Sequence, residues 1–336
     1  MIITKTPYRI SFFGGGSDYP EWYKKNGGAV LSSTINKYIY LSCRFLPSFF
    51  KHKYRIVWSK IENVKSIKEI DHKAVREILR YLNIKHGLEI HYDGDLPARS
   101  GMGSSSCFVV GLLKALNKIK ENPDISKEKL SKKSIFIEQK ILNEVVGSQD
   151  QVAASYGGFN KIIFNRNGSI KVNNLRALKN IKKLNNNLLL IYTGIQRTAH
   201  TIADGYVKKL SNIKKNNILK MLDHVKIAEN ILSSGDIDDF GILLNEAWLQ
   251  KKELSNQITN KKIDELYNHA IENGALGGKL LGAGGGGFLL LYMKDKQRKN
   301  FLNNSKNIVN VPFSFTNDGC QIIFDQLKKG KNGLKS

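Results

Sequence analysis

Leu88, Ile90 and Tyr92 alternate with Glu89, His91 and Asp93, which predicts a strand with one buried face. Downstream, 107–116 is apolar on most sides and predicts a buried helix starting near Ser104. Strand patterns also cover 2–10, 29–43 and 54–58, with a break at Gly14-Gly15-Gly16 after the first. Two amphipathic helices are predicted, over 73–82 with Ala74, Ile78, Leu79 and Leu82 on one face, and over 132–146 with Ile135, Ile141, Leu142 and Val145. The second stops at Gly147.

A polar break at Asn185-Asn186-Asn187 precedes the apolar run 188–192 and marks the expected boundary between a first lobe, 1–184, and a second, 185–327. The second lobe reads as helices over 202–233, 237–254 and 263–273, a glycine-rich turn, and a strand over 288–293. Short strands are expected over 308–313 and 320–324, and 328–336 reads as a polar tail.

Length and composition agree with two lobes, since 336 residues with 41% apolar content can fill ordinary cores. Cys43, Cys107 and Cys320 are odd in number and widely spaced, which suggests reduced thiols and a cytoplasmic setting. No charge-free apolar stretch is long enough to span a bilayer, so no membrane partner is expected. The net charge of +24 and pI of about 9.8 raise nucleic-acid binding. Yet the lysines are dispersed among Asn and Ile, a pattern that coding bias would produce. Clusters such as Lys208-Lys209 and Lys214-Lys215 lack an aromatic-interleaved stripe, which disfavours nucleic acid.

The chemistry concentrates in Leu96-Pro97-Ala98-Arg99-Ser100-Gly101-Met102-Gly103-Ser104-Ser105-Ser106, a Gly/Ser turn joined directly to the predicted helix. Glycines let backbone approach an oxyanion, and the first free helix amides point at it. The alternative reading is a connector with an ordinary serine cap. No Gly-x-x-x-x-Gly-Lys-Ser/Thr occurs, so any nucleotide grip differs from that of P-loop enzymes.

Two further glycine turns accompany it: Pro7-Tyr8-Arg9-Ile10-Ser11-Phe12-Phe13-Gly14-Gly15-Gly16-Ser17-Asp18-Tyr19 and Lys279-Leu280-Leu281-Gly282-Ala283-Gly284-Gly285-Gly286-Gly287-Phe288. In order and spacing the three resemble the GHMP kinase superfamily, which includes galactokinase, homoserine kinase and mevalonate kinase, over nearly the whole chain. Gly14 to Tyr19 together with Val146-Gly147-Ser148-Gln149-Asp150-Gln151 look most like the bacterial D-glycero-D-manno-heptose 7-phosphate kinases.

The resemblance implies an α+β fold of two lobes with ATP and substrate in the cleft between them, and ATP and Mg²⁺ as cofactors. It places Asp150 as the catalytic aspartate that orients the sugar hydroxyl and accepts its proton, and Arg9 as a charge neutraliser near the phosphoryl. Ser105 matches the Mg²⁺-binding serine and Glu138 the carboxylate completing the metal site. The span from Glu138 to Asp150 departs from mevalonate kinases, which leaves Gln139 as an alternative alignment; Glu138 is preferred because an amide lacks charge. Arg99, Ser100, Gly101, Met102, Gly103, Ser104, Ser105 and Ser106, with Gly284 and Gly285, are implied to contact ATP. Asp18, Gly15, Gly16 and Ser17 are implied to line the sugar pocket, where two glycines replace the Glu-His pair of galactokinases and leave room for a bulkier ligand.

The implied reaction is transfer to the anomeric hydroxyl of heptose 7-phosphate, for nucleotide-activated heptose and surface polysaccharide synthesis. Lys5, Lys60, Arg99 and Arg197 are candidates, by type only, for the substrate phosphate. A kinase for fucose or galactose, and a non-catalytic nucleic-acid or regulatory binding protein, are the competing readings. A homodimer stays open.

Overall fold

The computed structural model describes residues 1–196, 215–305 and 308–327. The expectations for Arg197, Lys208, Lys209 and Lys214, the helix over 202–214 and the 328–336 tail lie outside those residues.

Strands β1 (Ile2–Phe13) and β2 (Gly28–Phe45) are long because β-branched and aromatic residues run through both, and they pair antiparallel from Ile2↔Cys43 to Phe13↔Leu31. Their register shifts between Pro7 and Arg9, where proline has no amide for the ladder. On its other edge β2 pairs with β5 (Leu88–Gly94) along its later half and β6 (Phe159–Phe164) along its earlier half. β3 (Tyr54–Val57) runs parallel to β5 and carries β4 (Ile61–Val64), while β7 (Ile170–Asn174) closes on β6.

The remaining edge of β1 is covered by β12 (Gln321–Asp325), which satisfies a row of otherwise open amides. The stretch expected to belong to the second lobe therefore ends in the first sheet. Ser314 O accepts Asn36 N at 2.9 Å, and Cys320 N donates to Ala154 O at 2.8 Å.

Helix α3 (Ser104–Ile119) lies across β1 and β2 and buries Cys107, Val110, Leu112, Leu113 and Leu116. Around it are α1 (Pro20–Asn26), α2 (Lys73–Tyr81), α4 (Lys127–Phe136) and α5 (Gln149–Tyr156). The helix expected over 132–146 begins earlier and ends earlier. Ser126 caps α4 by accepting the Lys129 amide at 3.3 Å, a start that the apolar stripe did not mark. After Phe136 the chain forms one wide turn, Ile137–Ile141, closed by Leu142 N on Ile137 O at 2.8 Å. The extra residue in this π-type turn brings both Ile137 and Glu138 inward.

The Asn triplet is not a loop but the end of α6 (Ile181–Asn187), which feeds directly into β8 (Leu188–Tyr192). The second sheet runs β11 (Val309–Asn310), β8, β10 (Phe288–Tyr292), β9 (Gly277–Leu280), with neighbours antiparallel. The strand expected over 308–313 is reduced to the two residues of β11. Helices α7 (Lys215–Ser234), α8 (Asp238–Lys252), α9 (Lys261–Glu272) and α10 (Asp295–Asn304) complete this lobe, with α8 packed on β9 and β10.

The lobes share a core. Phe240 of α8 meets Phe12 and Phe13 of β1 at ring-centroid distances of 5.5 and 5.1 Å, and Phe12 stacks on Phe159 at 5.4 Å. Each pair adds about 0.5–1.5 kcal/mol beyond its buried area, so these contacts hold the glycine turns of one lobe against those of the other.

Candidate active site

Gly103 occupies the cap position of α3 in the left-handed region, φ 77°, and supplies no side chain to the helix amides. A long buried helix whose N-terminus has no side-chain cap is a ready anion site. Arg99, also at positive φ (60°), is exposed and donates its amide to Ser104 Oγ at 3.3 Å, which folds the loop back over the helix start. Ser100 and Met102 point into the fold: Ser100 Oγ donates to Pro97 O at 2.6 Å and Met102 is fully buried. Any contact from these two to a nucleotide must come from backbone.

Arg9 and Asp150 lie beneath this loop. Arg9 Nε donates to Asp150 Oδ1 and Nη2 to Oδ2, each at 2.7 Å, while Nη1 donates to Gly101 O at 2.7 Å. Arg9 is buried and Asp150 keeps 23% side-chain exposure, so the aspartate is the member of the pair that an acceptor can reach.

Glu138 is fully buried, and burial pushes its carboxyl up to about 8 despite hydrogen bonds from Ser106 and Gln151. Ser106 Oγ donates to Glu138 Oε2 at 2.8 Å and Gln151 Nε2 bonds the same oxygen; Oε1 has no partner among the described residues. The hydroxyl expected here was that of Ser105, which is instead exposed. Successive helix positions differ by about 100°, so only one of two adjacent serines can face a given neighbour. Gln139, the alternative alignment, is committed elsewhere, donating to Val146 O at 3.0 Å and Ser148 Oγ at 3.2 Å.

The first glycine turn is fastened from within. Ser17 Oγ donates to Gly14 O at 2.7 Å and accepts Ala29 N at 3.1 Å, so the hydroxyl expected in the sugar pocket secures the turn to β2 instead. Asp18 is 1% exposed, with Oδ1 accepting Gly16 N at 3.0 Å and Oδ2 accepting Gln149 N at 3.3 Å. Burial, and then the Asp150 charge, push the Asp18 carboxyl up to about 6. Each oxygen retains capacity for one more donor, such as a sugar hydroxyl. A Cβ on Gly16 would meet Ile218 of α7, whereas half-exposed Gly15 lies in ordinary contact range of Gln149 and Ser11, whose Oγ donates to Gln149 Oε1 at 2.7 Å.

The third turn abuts the phosphate loop so closely that a Cβ on Gly282 would lie 2.4 Å from Gly101 Cα. Only glycine permits that seam. Gly284 and Gly285, expected to touch nucleotide, are buried against Ile258, with Gly285 N donating to its carbonyl at 2.8 Å; the half-exposed residues of the turn are Gly282 and Ala283.

Two lysines given no role from the sequence, Lys279 at the head of the third motif and Lys251 outside the motifs, stand behind the seam. Lys279 Nζ, buried, donates to Phe12 O at 2.5 Å, and Lys251 Nζ, also buried, donates to Leu280 O at 2.8 Å and Gly282 O at 2.6 Å. Burial and then Arg9 bring Lys279 down to about 7; burial, then Lys279 and Arg9, hold Lys251 well below the usual lysine range. The cue for Lys251 was its place on the apolar stripe of α8, one turn beyond Ala247. Of the proposed substrate-phosphate contacts, Lys60 pairs with Asp71 and Lys5 lies over the Tyr38 ring and 3.6 Å from Asp318.

Comparison with known proteins matches 68–158 to the GHMP kinases N terminal domain and 227–304 to the GHMP kinases C terminal domain. A D-glycero-alpha-D-manno-heptose 7-phosphate kinase of Campylobacter jejuni subsp. jejuni serotype O:2 is 30% identical, over 95% of this chain and 98% of that protein. A bifunctional fucokinase/GDP-fucose pyrophosphorylase of Arabidopsis thaliana is 28% identical over 87% of this chain, which spans 30% of that longer protein. The crystal structure of a D-glycero-D-manno-heptose 1-phosphate kinase from Bacteroides thetaiotaomicron superposes with a TM-score of 0.77 at 25% identity, covering 97% of this chain and 99% of that one. No helix among the described residues is long and apolar enough to cross a membrane. With both family domains present in order and a relative matched almost end to end, the chain belongs to the GHMP kinase family and is an ATP-dependent phosphotransferase.

Proposed function

We propose that this sugar kinase phosphorylates the anomeric hydroxyl of D-glycero-α-D-manno-heptose 7-phosphate to give the 1,7-bisphosphate, a precursor for nucleotide-activated heptose in surface polysaccharide. The carrying observation is the nearly full-length likeness to a heptose 7-phosphate kinase, 30% identical over 95% of this chain. Half-exposed Gly15, where a Cβ would make ordinary contact with Gln149 Nε2 at 3.9 Å and Ser11 Oγ at 4.0 Å, puts no large side chain beside Gln149, the chain neighbour of Asp150.

In this scheme the acceptor oxygen attacks the γ-phosphorus, the bond to the β–γ bridging oxygen breaks, and the hydroxyl proton passes to Asp150. Arg9 fixes the direction of that carboxylate through its planar fork. The free amides at the start of α3 hold the nucleotide phosphates, and Asp18 and Gln149 offer polar contacts to the sugar. The unpartnered Glu138 Oε1 would be the carboxylate oxygen of a Mg²⁺ site, and Ser105, exposed at the start of α3, would be its hydroxyl. When bound, the ion would neutralise charge on the ATP phosphates.

The test is ADP release and ³¹P NMR with heptose 7-phosphate, heptose 1-phosphate, fucose and galactose as separate acceptors. The highest kcat/KM and a new anomeric phosphate are expected with heptose 7-phosphate. Turnover of fucose, galactose or heptose 1-phosphate in preference to it would replace this substrate. ATP-independent, salt-sensitive nucleic-acid binding with no turnover of any sugar would replace the catalytic reading altogether.

A further inference from the structure

Lys251 is 7% exposed, lies within 4 Å of no carboxylate among the described residues, and spends its donors on two main-chain carbonyls, those of Leu280 and Gly282. Its neighbour Lys252 is the ordinary case, half-exposed and 3.5 Å from Asp264. Burying an amine without an acidic partner is costly, and capping two carbonyls does not require a charge. The location explains the arrangement.

The peptide joining Gly282 to Ala283 is planar and trans, so its C=O and N–H point in opposite directions. Because Lys251 holds the Gly282 carbonyl, the Ala283 N–H must point away from α8. That amide has no backbone partner among the described residues, and it belongs to the half-exposed part of the turn packed on Gly101. By contrast, Leu281 N donates to Phe288 O at 2.9 Å and Gly287 N to Ile195 O at 2.8 Å, which anchors the turn at both ends. The turn is thus pinned at its ends and at Gly285, whose amide donates to Ile258 O at 2.8 Å, and the Gly282–Ala283 peptide before it is oriented by the Lys251 side chain.

We infer that Lys251 is a positioning residue for the nucleotide: by holding the Leu280 and Gly282 carbonyls it presents the Ala283 amide, beside the amides of the Gly101–Gly103 loop, to the polyphosphate. An amine with two protons is enough to hold two carbonyls, so the brace does not depend on the charge of Lys251. Lys279 acts from the other side, tying the same strand to Phe12 of β1, so both walls of the seam are held by lysines.

The experiment is calorimetric binding of the non-hydrolysable ATP analogue adenylyl imidodiphosphate with Mg²⁺ to the full chain, alongside its melting temperature, which needs no knowledge of the acceptor. Lys251→Met should weaken binding about 10- to 100-fold, the range expected for losing two buried hydrogen bonds. Its melting temperature should stay within a few degrees of the parent, because the cost of burying the amine is removed along with its two carbonyl bonds. Lys252→Met, the control, should bind as the parent does. Wild-type affinity in folded Lys251→Met overturns the inference, as does weakening that Lys252→Met shares. If the methionine variant does not fold, Lys251→Gln, which can still donate to one carbonyl, should show an intermediate loss; wild-type affinity or failure to fold in that variant overturns it equally.

Discussion

Arg9 holds both carboxylate oxygens of Asp150 at 2.7 Å and, with its remaining terminal nitrogen, the Gly101 carbonyl of the phosphate loop. One buried side chain thus sets the distance between the carboxylate proposed to address the acceptor and the loop proposed to carry the donor. Proximity of this kind contributes much of the rate in reactions where the protein does little covalent chemistry.

Asp150→Asn keeps the shape of the side chain but cannot take a proton. Turnover should fall by about 10²–10⁴ while affinity for the ATP analogue stays within a few-fold of the parent. Steady-state kinetics decides this, and near-normal kcat would remove Asp150 from the base role.

Gly147 touches the other carboxylate. A Cβ there would lie 1.9 Å from Asp18 Oδ2, and both the Asp18–Gln149 bond and the start of α5 depend on that approach. Gly147→Ala should cost about 1–3 kcal/mol in urea unfolding, the usual range for overpacking. It should also reduce acceptor kcat/KM more than nucleotide affinity. An unfolding midpoint equal to that of the parent would show that the turn yields freely.

Adjacent serines should separate by kind of effect. Ser106 is buried and bonded to Glu138, so Ser106→Ala should lower stability by about 1–3 kcal/mol through the loss of a buried hydrogen bond. Ser105 is exposed at the loop mouth, so Ser105→Ala should leave stability within about 0.5 kcal/mol yet raise the Mg²⁺ concentration needed for half-maximal rate. A reversal of the two profiles would move the metal ligand to Ser106.

Lys279 gives a pH signature. Its ammonium is brought from 10.5 down to about 7 in the folded chain, so between those values the unfolded chain binds more protons than the folded one. Stability contributed by this group therefore rises with pH from about 7 toward 10.5, and below 7 its penalty is fully present. Thermal unfolding from pH 6 to 9 should show Lys279→Met more stable than the parent at pH 6, with the gap closing as pH rises. A gap that does not change with pH would mean that Lys279 stays protonated throughout.

Much of the site was legible because its cues are local. Glycine runs beside predicted strand and helix ends identified the three turns, and the apolar run after Ser104 identified the helix whose amides close the phosphate loop. Arg9, Glu138 and Asp150 came from the family resemblance rather than from local pattern, and the structure brings Arg9 and Asp150 into contact and places Glu138 inside the first lobe. The missed boundaries also have local causes: Asn185 to Asn187 look like a break by composition but finish α6, and the wide turn at Ile137–Ile141 alters the helical phase that the stripe assumed.

By itself the sequence determined the long strands β1, β2 and β5, the helix α3, the glycine turns and the residue types able to handle phosphate, since propensity, periodicity and positive-φ tolerance act over a few residues; it left α1, α5, α6, α10, β4, β6, β7 and β9 unmarked. Tertiary structure alone decided that Ser106 rather than Ser105 meets Glu138, that Ser17 turns inward, that β12 returns to β1, and that Lys251 reaches the carbonyls of the third turn. Each of these depends on the rotational phase of an element against a partner distant in sequence. Packing settles that phase when buried polar atoms must find donors or acceptors, and no local pattern encodes which ones they will find.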